Sequence, residues 1–223
     1  MAARIALHTD VLRGNQEWAE RNRSVFKHNH VFTINIMSSP GAGKTSLLEG
    51  IIPQLKKHLR VAVIEGDICT TLDAERIALL GVKTIQINTQ GACHLDARMI
   101  NDAIHRLLQT QIDLLFIENV GNLVCPADFD LGEHVRMTVL SVTEGADKAE
   151  KYPSVFRSAH TVLLNKIDLL PFVSFDVGRF HHVVSELNPV APVFPMSATT
   201  GEGLAVWINW LLQMVKEQME ESE

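Results

Sequence analysis

From residue 31 onward, short apolar runs alternate with amphipathic stretches. VFTINIM (31–37), VAVIEGD (61–67), KTIQINT (83–89), IDLLFIEN (112–119), VRMTVLSV (135–142), TVLLNK (161–166) and PVFPMS (192–197) read as strands. They are nearly continuous in Val, Ile and Leu, as expected of strands buried on both faces. The intervening stretches 44–59, 71–81, 95–110, 147–157, 175–187 and 203–219 read as helices, with Pro53 expected to kink or shorten the first. Strand–helix alternation of this kind predicts an α/β fold: a mostly parallel central sheet flanked by helices on both faces. Residues 1–27 are polar with scattered apolar positions and are expected to form an N-terminal helical extension, leaving 28–223 as one domain. Trp207, Trp210, Leu211 and Met214 fit the core face of the last helix, and His181 and His182 fit a solvated turn.

Composition narrows the setting. With 46% hydrophobic and 21% charged residues among 223, the chain can bury a sizeable core. A net charge of −6 gives no general attraction to nucleic acid or to an anionic membrane. No apolar stretch reaches the roughly 18–20 residues of a membrane span, and the first residues lack the apolar centre of a secretory signal. Three Cys are too few for a disulfide scaffold, so a reducing cytoplasm is the expected compartment.

In a parallel sheet, ligands bind beyond the carboxyl ends of the strands. After the first strand stand Ser38, Ser39, Pro40, Gly41, Ala42, Gly43, Lys44, Thr45 and Ser46, followed by a helix. This is G-x-x-x-x-G-K-[ST] with Ser38 at the first position. Glycines let the backbone wrap a phosphate, and the amides with the helix N-terminus supply donors. Lys44 is expected on the β- and γ-phosphates and Thr45 on Mg²⁺. About 120 residues later, Asn165, Lys166, Ile167 and Asp168 fit N-K-x-D at a strand end. Its carboxylate can take the guanine N1–H and 2-amino groups, a pair that adenine lacks. Ser197, Ala198 and Thr199 follow the next strand, where a backbone N–H would meet guanine O6. The expected nucleotide is GTP.

SSPGAGKT, EGDICTTLDAERI, GACHLD, IENVGNLVCP, NKIDLLP and SATTGEG together resemble the nickel-inserting GTPases of nickel–iron hydrogenase maturation, the HypB type. These belong to the dimerising SIMIBI class of P-loop GTPases, which also holds the urease nickel chaperone. The resemblance covers roughly residues 30–215. It implies a GTP-hydrolysing metallochaperone that binds Ni²⁺ and Zn²⁺ and forms a homodimer promoted by GTP and metal. Its implied partners are a second nickel chaperone and the hydrogenase large-subunit precursor. Unlike some family members, the chain has its first Cys at 69 and its ten His scattered. The rival readings are a urease- or cobalamin-enzyme chaperone of the same fold, and a non-enzymatic metal store or sensor. The intact Lys44, Thr45, Asn165 and Asp168 argue against the last.

Asp67 and Glu118 end the second and fourth strands, where they can face Thr45 across a Mg²⁺ ion. Glu118 stands where most GTPases carry the Asp of D-x-x-G, and Gly121 is placed to donate its N–H to the γ-phosphate. Asp73 is a candidate for positioning water, and Arg76 for stabilising charge or merely for a helix surface. Lys148 and Lys151 are read as surface residues. Cys93, His94 and Cys125 supply two thiolates and an imidazole, a set suited to Zn(II) or Ni(II). By spacing alone each is more often structural, a free Cys being usually a small buried residue; the resemblance marks all three as metal residues. Cys69 is kept as an extra ligand only in second place.

No Gln stands where small signalling GTPases orient water. Intrinsic turnover is therefore expected on the order of 10⁻⁴–10⁻² s⁻¹. Phosphate release from the isolated protein above ~10 s⁻¹ would exclude this.

Overall fold

The computed structural model describes residues 7–68 and 71–220 and contains all seven expected strands. They are β1 (Phe32–Ser38), β2 (Val61–Asp67), β3 (Lys83–Asn88), β4 (Leu114–Glu118), β5 (Val135–Ser141), β6 (Thr161–Asn165) and β7 (Val193–Pro195). Every pairing is parallel, in the order β3-β2-β4-β1-β5-β6-β7. Parallel pairing brings all carboxyl ends to one edge, and the motif-bearing loops leave from that edge.

Helices cover both faces. Ile34 and Ile36 of β1 pack on Leu47, Leu48 and Ile51 of α2 (Lys44–Leu55), with Trp207 and Leu211 of α9 (Leu204–Glu220) in the same cluster. Trp210 and Met214 are partly buried against it, as the last helix's pattern predicts. On the opposite face, Ile64 and Ile117 meet Ile100 and Ile104 of α4 (Ala97–Leu107), and Phe26 of α1 (Leu7–His28). A third cluster joins Leu140 and Leu164 to Phe156 of α7 (Pro153–Arg157) and Phe180 of α8 (Val177–Leu187).

Two helices differ from expectation, both at prolines. Pro53 has no N–H to continue the ladder, so α2 ends at Leu55 and a tighter turn, His58 N–H to the Leu55 carbonyl at 2.9 Å, closes the segment. The expected helix 147–157 is split into α6 (Lys148–Lys151) and α7. Tyr152 is pushed off helical geometry (φ −127°, ψ 58°) by the following Pro153. The expected 71–81 helix contains α3 (Leu72–Ala78), and α5 (Cys125–Asp128) is a single turn. Lys148 and Lys151 stay local: Lys148 lies over the Tyr152 ring and Lys151 pairs with Asp147. His182 is exposed and 3.5 Å from Glu186.

The leading helix is more than a cover. Asn22, fully buried, donates to the carbonyls of Ala97 (2.8 Å) and Leu131 (2.9 Å) and accepts from Asn101 (2.9 Å). Asn15 donates to the Asp130 carbonyl and accepts from Ala97 N–H, and Arg23 is ion-paired with Asp130. No helix among the described residues is long and apolar enough to cross a membrane.

Replacing Asn22 by Ala would leave two buried carbonyls and one amide without partners, at about 1–3 kcal/mol each before relaxation. The expected loss is about 2–4 kcal/mol in urea denaturation. The exposed control Gln16→Ala should stay within about 0.5 kcal/mol of the parent.

Candidate functional site

The carboxyl ends of β1, β2, β4 and β6 surround a cavity of about 440 Å³. The loop after β1 forms its floor. Gly43 takes φ 98°, and a Cβ there would lie 2.6 Å from Asn165 Nδ2, so both the turn and the close approach require glycine. Asn165 Nδ2 donates to the Ala42 carbonyl (2.9 Å), while its Oδ1 accepts from Ala198 N–H (3.1 Å). One carboxamide thus braces the phosphate loop against the loop after β7. Lys166, in left-handed conformation (φ 63°), donates from Nζ to the Gly41 carbonyl at 2.7 Å. Lys44 Nζ donates to the buried Ser38 Oγ at 3.0 Å, so the serine at the motif's first position supports the lysine. Ser38 in turn donates to the Ser39 carbonyl, and Ser46 lies beside Arg76 at 3.5 Å.

The acids divide into two kinds. Glu118 accepts from Thr45 Oγ1 at 2.8 Å and is otherwise buried, as is Glu65, its direct partner in the β2–β4 register. The second oxygen of each is buried without a hydrogen-bond partner among the described residues. Burial, with Glu118 and Asp67 nearby, raises the Glu65 carboxyl to about 8; burial also raises that of Glu118. Buried carboxyl oxygens with no donor beside Thr45 are hard donors of the kind that could hold Mg²⁺, whose charge would favour their ionised form. Asp67 and Asp73 line the same cavity. Arg76 also lines it but is committed to Glu49 (2.6 Å) and Asp73 (2.9 Å).

On the side of β6 and β7, Thr199 and Ala198 line the cavity, and the Ser197 hydroxyl oxygen accepts from Thr200 N–H at 3.1 Å. Asp168 keeps one buried oxygen, Oδ1, without a partner. Asn165 and Lys166 of the same loop line the cavity, and Asp168 does not.

Outside the cavity, Cys93, His94 and Cys125 come together with candidate donor atoms within 4.8 Å of one another. The two sulfurs are 3.1 Å apart, and Cys93 Sγ is 3.7 Å from His94 Nδ1. The hydrogen bond shared with the neighbouring Cys93, in which the protonated Cys125 is the favoured form, raises the Cys125 thiol, with burial adding to it; burial lowers His94. Phe129 lies against the His94 ring, 3.9 Å between centroids. These soft donors form an incomplete shell: three per chain, where a closed tetrahedral site needs four. Cys69 lies outside the described residues.

Glu65 and the pair Asn119 and Asn122 were not singled out by motif spacing. Glu65 was visible only as an acid inside a strand buried on both faces. The two asparagines flank Gly121 within ENVGN.

A family model described as CobW/HypB/UreG, nucleotide-binding domain, matches residues 32–195. The chain is 51% identical over 207 residues to hydrogenase maturation factor HypB of Escherichia coli K12, covering 93% of this chain and 71% of that protein. The fold is similar to the crystal structure of HypB from Helicobacter pylori in complex with nickel (TM-score 0.88, 38% identity, covering 92% and 97% of the two chains). It is also similar to hydrogenase maturation factor HypB from Archaeoglobus fulgidus (TM-score 0.86, 38% identity, 91% and 99%).

The Glu65 carboxyl has a clear pH signature. Its value rises from 4.5 to about 8 on folding. Across that window the folded protein holds a proton that the unfolded chain releases, so stability falls as pH rises. Without nucleotide or Mg²⁺, Glu65→Gln should melt above the parent at pH 8.5 and close to it at pH 5. An equal difference at both pH values in thermal denaturation would contradict the assignment.

Proposed function

Since the chain belongs to the CobW/HypB/UreG family, in its hydrogenase maturation factor HypB branch, we propose that it is a GTP-hydrolysing metallochaperone. It binds Ni(II), and Zn(II) as well, and delivers nickel during maturation of nickel–iron hydrogenase in the cytoplasm.

The loop Ser39–Ser46 takes the phosphates through its backbone amides, with Lys44 on the β- and γ-oxygens. Asp168 accepts from guanine N1–H and the 2-amino group, Lys166 covers the base, and the turn Ser197–Ala198–Thr199 offers an N–H to O6. Thr45, Asp67 and Glu118 hold Mg²⁺, with Glu65 beside them. The ion supplies charge neutralisation at the phosphate oxygens. Asp73 orients the attacking water, and Gly121 marks the γ-phosphate through its N–H. Water adds to the γ-phosphorus, the β–γ bridging bond breaks, and GDP and phosphate leave.

Cys93, His94 and Cys125 take the cargo ion. A two-fold dimer would bring two such incomplete sets together, and closed pairing is the commonest oligomer. GTP favours that dimer and hydrolysis loosens it, releasing metal toward a partner chaperone or the hydrogenase precursor. The main support is covalent: Glu118, Gly121 and Cys125 lie on one short segment leaving β4, so the wall of the nucleotide cavity runs directly into a metal thiol.

Lys44→Ala should lower GTP turnover by about 10²–10³-fold. The pair Cys93→Ala, Cys125→Ala should abolish tight nickel binding in titrations while GDP binding persists. Unchanged turnover in the first, or unchanged nickel binding in the second, would refute the assignment.

A further inference from the structure

Two asparagines on the segment after β4 link the candidate sites: Asn119 lines the nucleotide cavity, and Asn122 bonds to the loop of Cys93. Asn119 is fully buried, and its Oδ1 accepts two backbone N–H groups, from Leu95 (3.1 Å) and Val120 (2.9 Å). Leu95 directly follows the Cys93–His94 pair, and Val120 directly precedes Gly121. One oxygen therefore holds the two loops together. Asn122 makes a second tie: its Nδ2 donates to the Cys93 carbonyl (3.3 Å), and its Oδ1 accepts from Val124 N–H (2.9 Å), next to Cys125.

The Asn119 tie is backed by rigid structure. Asn119 Nδ2 donates to Asn35 Oδ1 (3.2 Å) in the central strand, and Asn35 Nδ2 donates to the buried Glu133 (3.2 Å). Glu133 is fixed by Arg136 (2.8 Å) and by Leu131 N–H (2.7 Å). Asn119 therefore cannot rotate without breaking a buried chain of hydrogen bonds. Steric contacts fill the remaining space. A Cβ on Gly66, between Glu65 and Asp67, would fall 2.7 Å from the Leu95 side chain. A Cβ on Gly121 would fall 2.9 Å from Pro40 of the phosphate loop. A shift of Gly121 relative to Pro40 is thus passed to Leu95 and to the Cys93 carbonyl, because close-packed groups have no slack to absorb it.

We propose that Asn119, assisted by Asn122, is the positioning residue that couples the state of the nucleotide to the geometry of the Cys93–His94–Cys125 set. This rests on the proposed function, since it presumes that both sites are occupied. The clustered candidate ligands are Cys93, His94 and Cys125, and the asparagines bond to the chain around them. They set where the cysteine loop sits relative to the γ-phosphate sensor.

The test is a nickel titration of the full chain, with Ni²⁺ alone as probe, in GDP and in a slowly hydrolysed GTP analogue. Allosteric coupling of this kind is typically about 5–150-fold in affinity. The parent should show a ratio in that range between the two nucleotide states. In Asn119→Ala and Asn122→Ala the ratio should fall to within about twofold of one, while in Asn122→Ala, whose side chain lies outside the nucleotide cavity, GDP affinity stays at the parent's value. That loss is not expected of a purely structural residue, which would weaken both states alike. Should Asn119→Ala fail to fold, Asn122→Ala, which removes the half-buried partner, decides alone. A coupled parent with an undiminished ratio in the folded variants overturns the inference and leaves the proposed function standing. A parent ratio of one removes the coupling itself, and the inference with it.

Discussion

The register of β2, β4 and β1 governs the carboxyl edge of this sheet. It sets Glu65 opposite Glu118, and Glu118 opposite Ile36, two residues before the phosphate loop begins. Two acids that would repel and dehydrate each other are thereby held beside Lys44 and Thr45. Burial of this sort costs stability unless a donor or a cation answers it. Thr45 answers one oxygen of Glu118; the other is buried without a partner, as is Oε2 of Glu65. A one-residue slip of β2 would turn Glu65 to the opposite face and remove half of that arrangement. The apolar packing of α2 and α4 on opposite faces forbids the slip.

Much of this was legible in the chain itself. Strands buried on both faces announce themselves as continuous apolar runs, and all seven were readable, with ends shifted by one or two residues. The phosphate loop and N-K-x-D were readable because their chemistry tolerates few residue types at fixed spacing. Helix ends near Pro53 and Pro153 were less so, because a proline marks a break without saying on which side the chain resumes. Least legible were Asn35, Asn119 and Glu65. A polar residue in an apolar run looks like a weakness in the pattern until the face it points to is known. Here all three point to buried partners or to the cavity, and only the tertiary register reveals that. Cys93, His94 and Cys125 carried an ambiguous signal on spacing alone. Their convergence depends on a four-residue helix at Cys125 and on the turn after β3, neither of which has a strong local pattern.

The two donor sets also illustrate a division of labour by hardness. Carboxylates and a hydroxyl gather inside the cavity; thiols and an imidazole gather outside it. Each set would be a poor host for the other's ion. Segregation by donor chemistry would let two cations occupy neighbouring loops without exchange between them.

The central strand β1 splits the active edge into two halves. On one side, the loops after β6 and β7 supply Asn165, Lys166, Ala198 and Thr199 to the cavity wall, where the proposed base pocket lies. On the other, the ends of β2, β3 and β4 carry the acids and the sulfur ligands. Only the loop after β1 belongs to both. Molecular evolution can therefore retune the two halves as separate modules. A lineage could trade its cargo ion by editing the cysteine side while keeping its purine preference, or drift in base selectivity without disturbing metal choice. Such independence would be unavailable had the strands been ordered so that the base pocket and the thiols shared a neighbour.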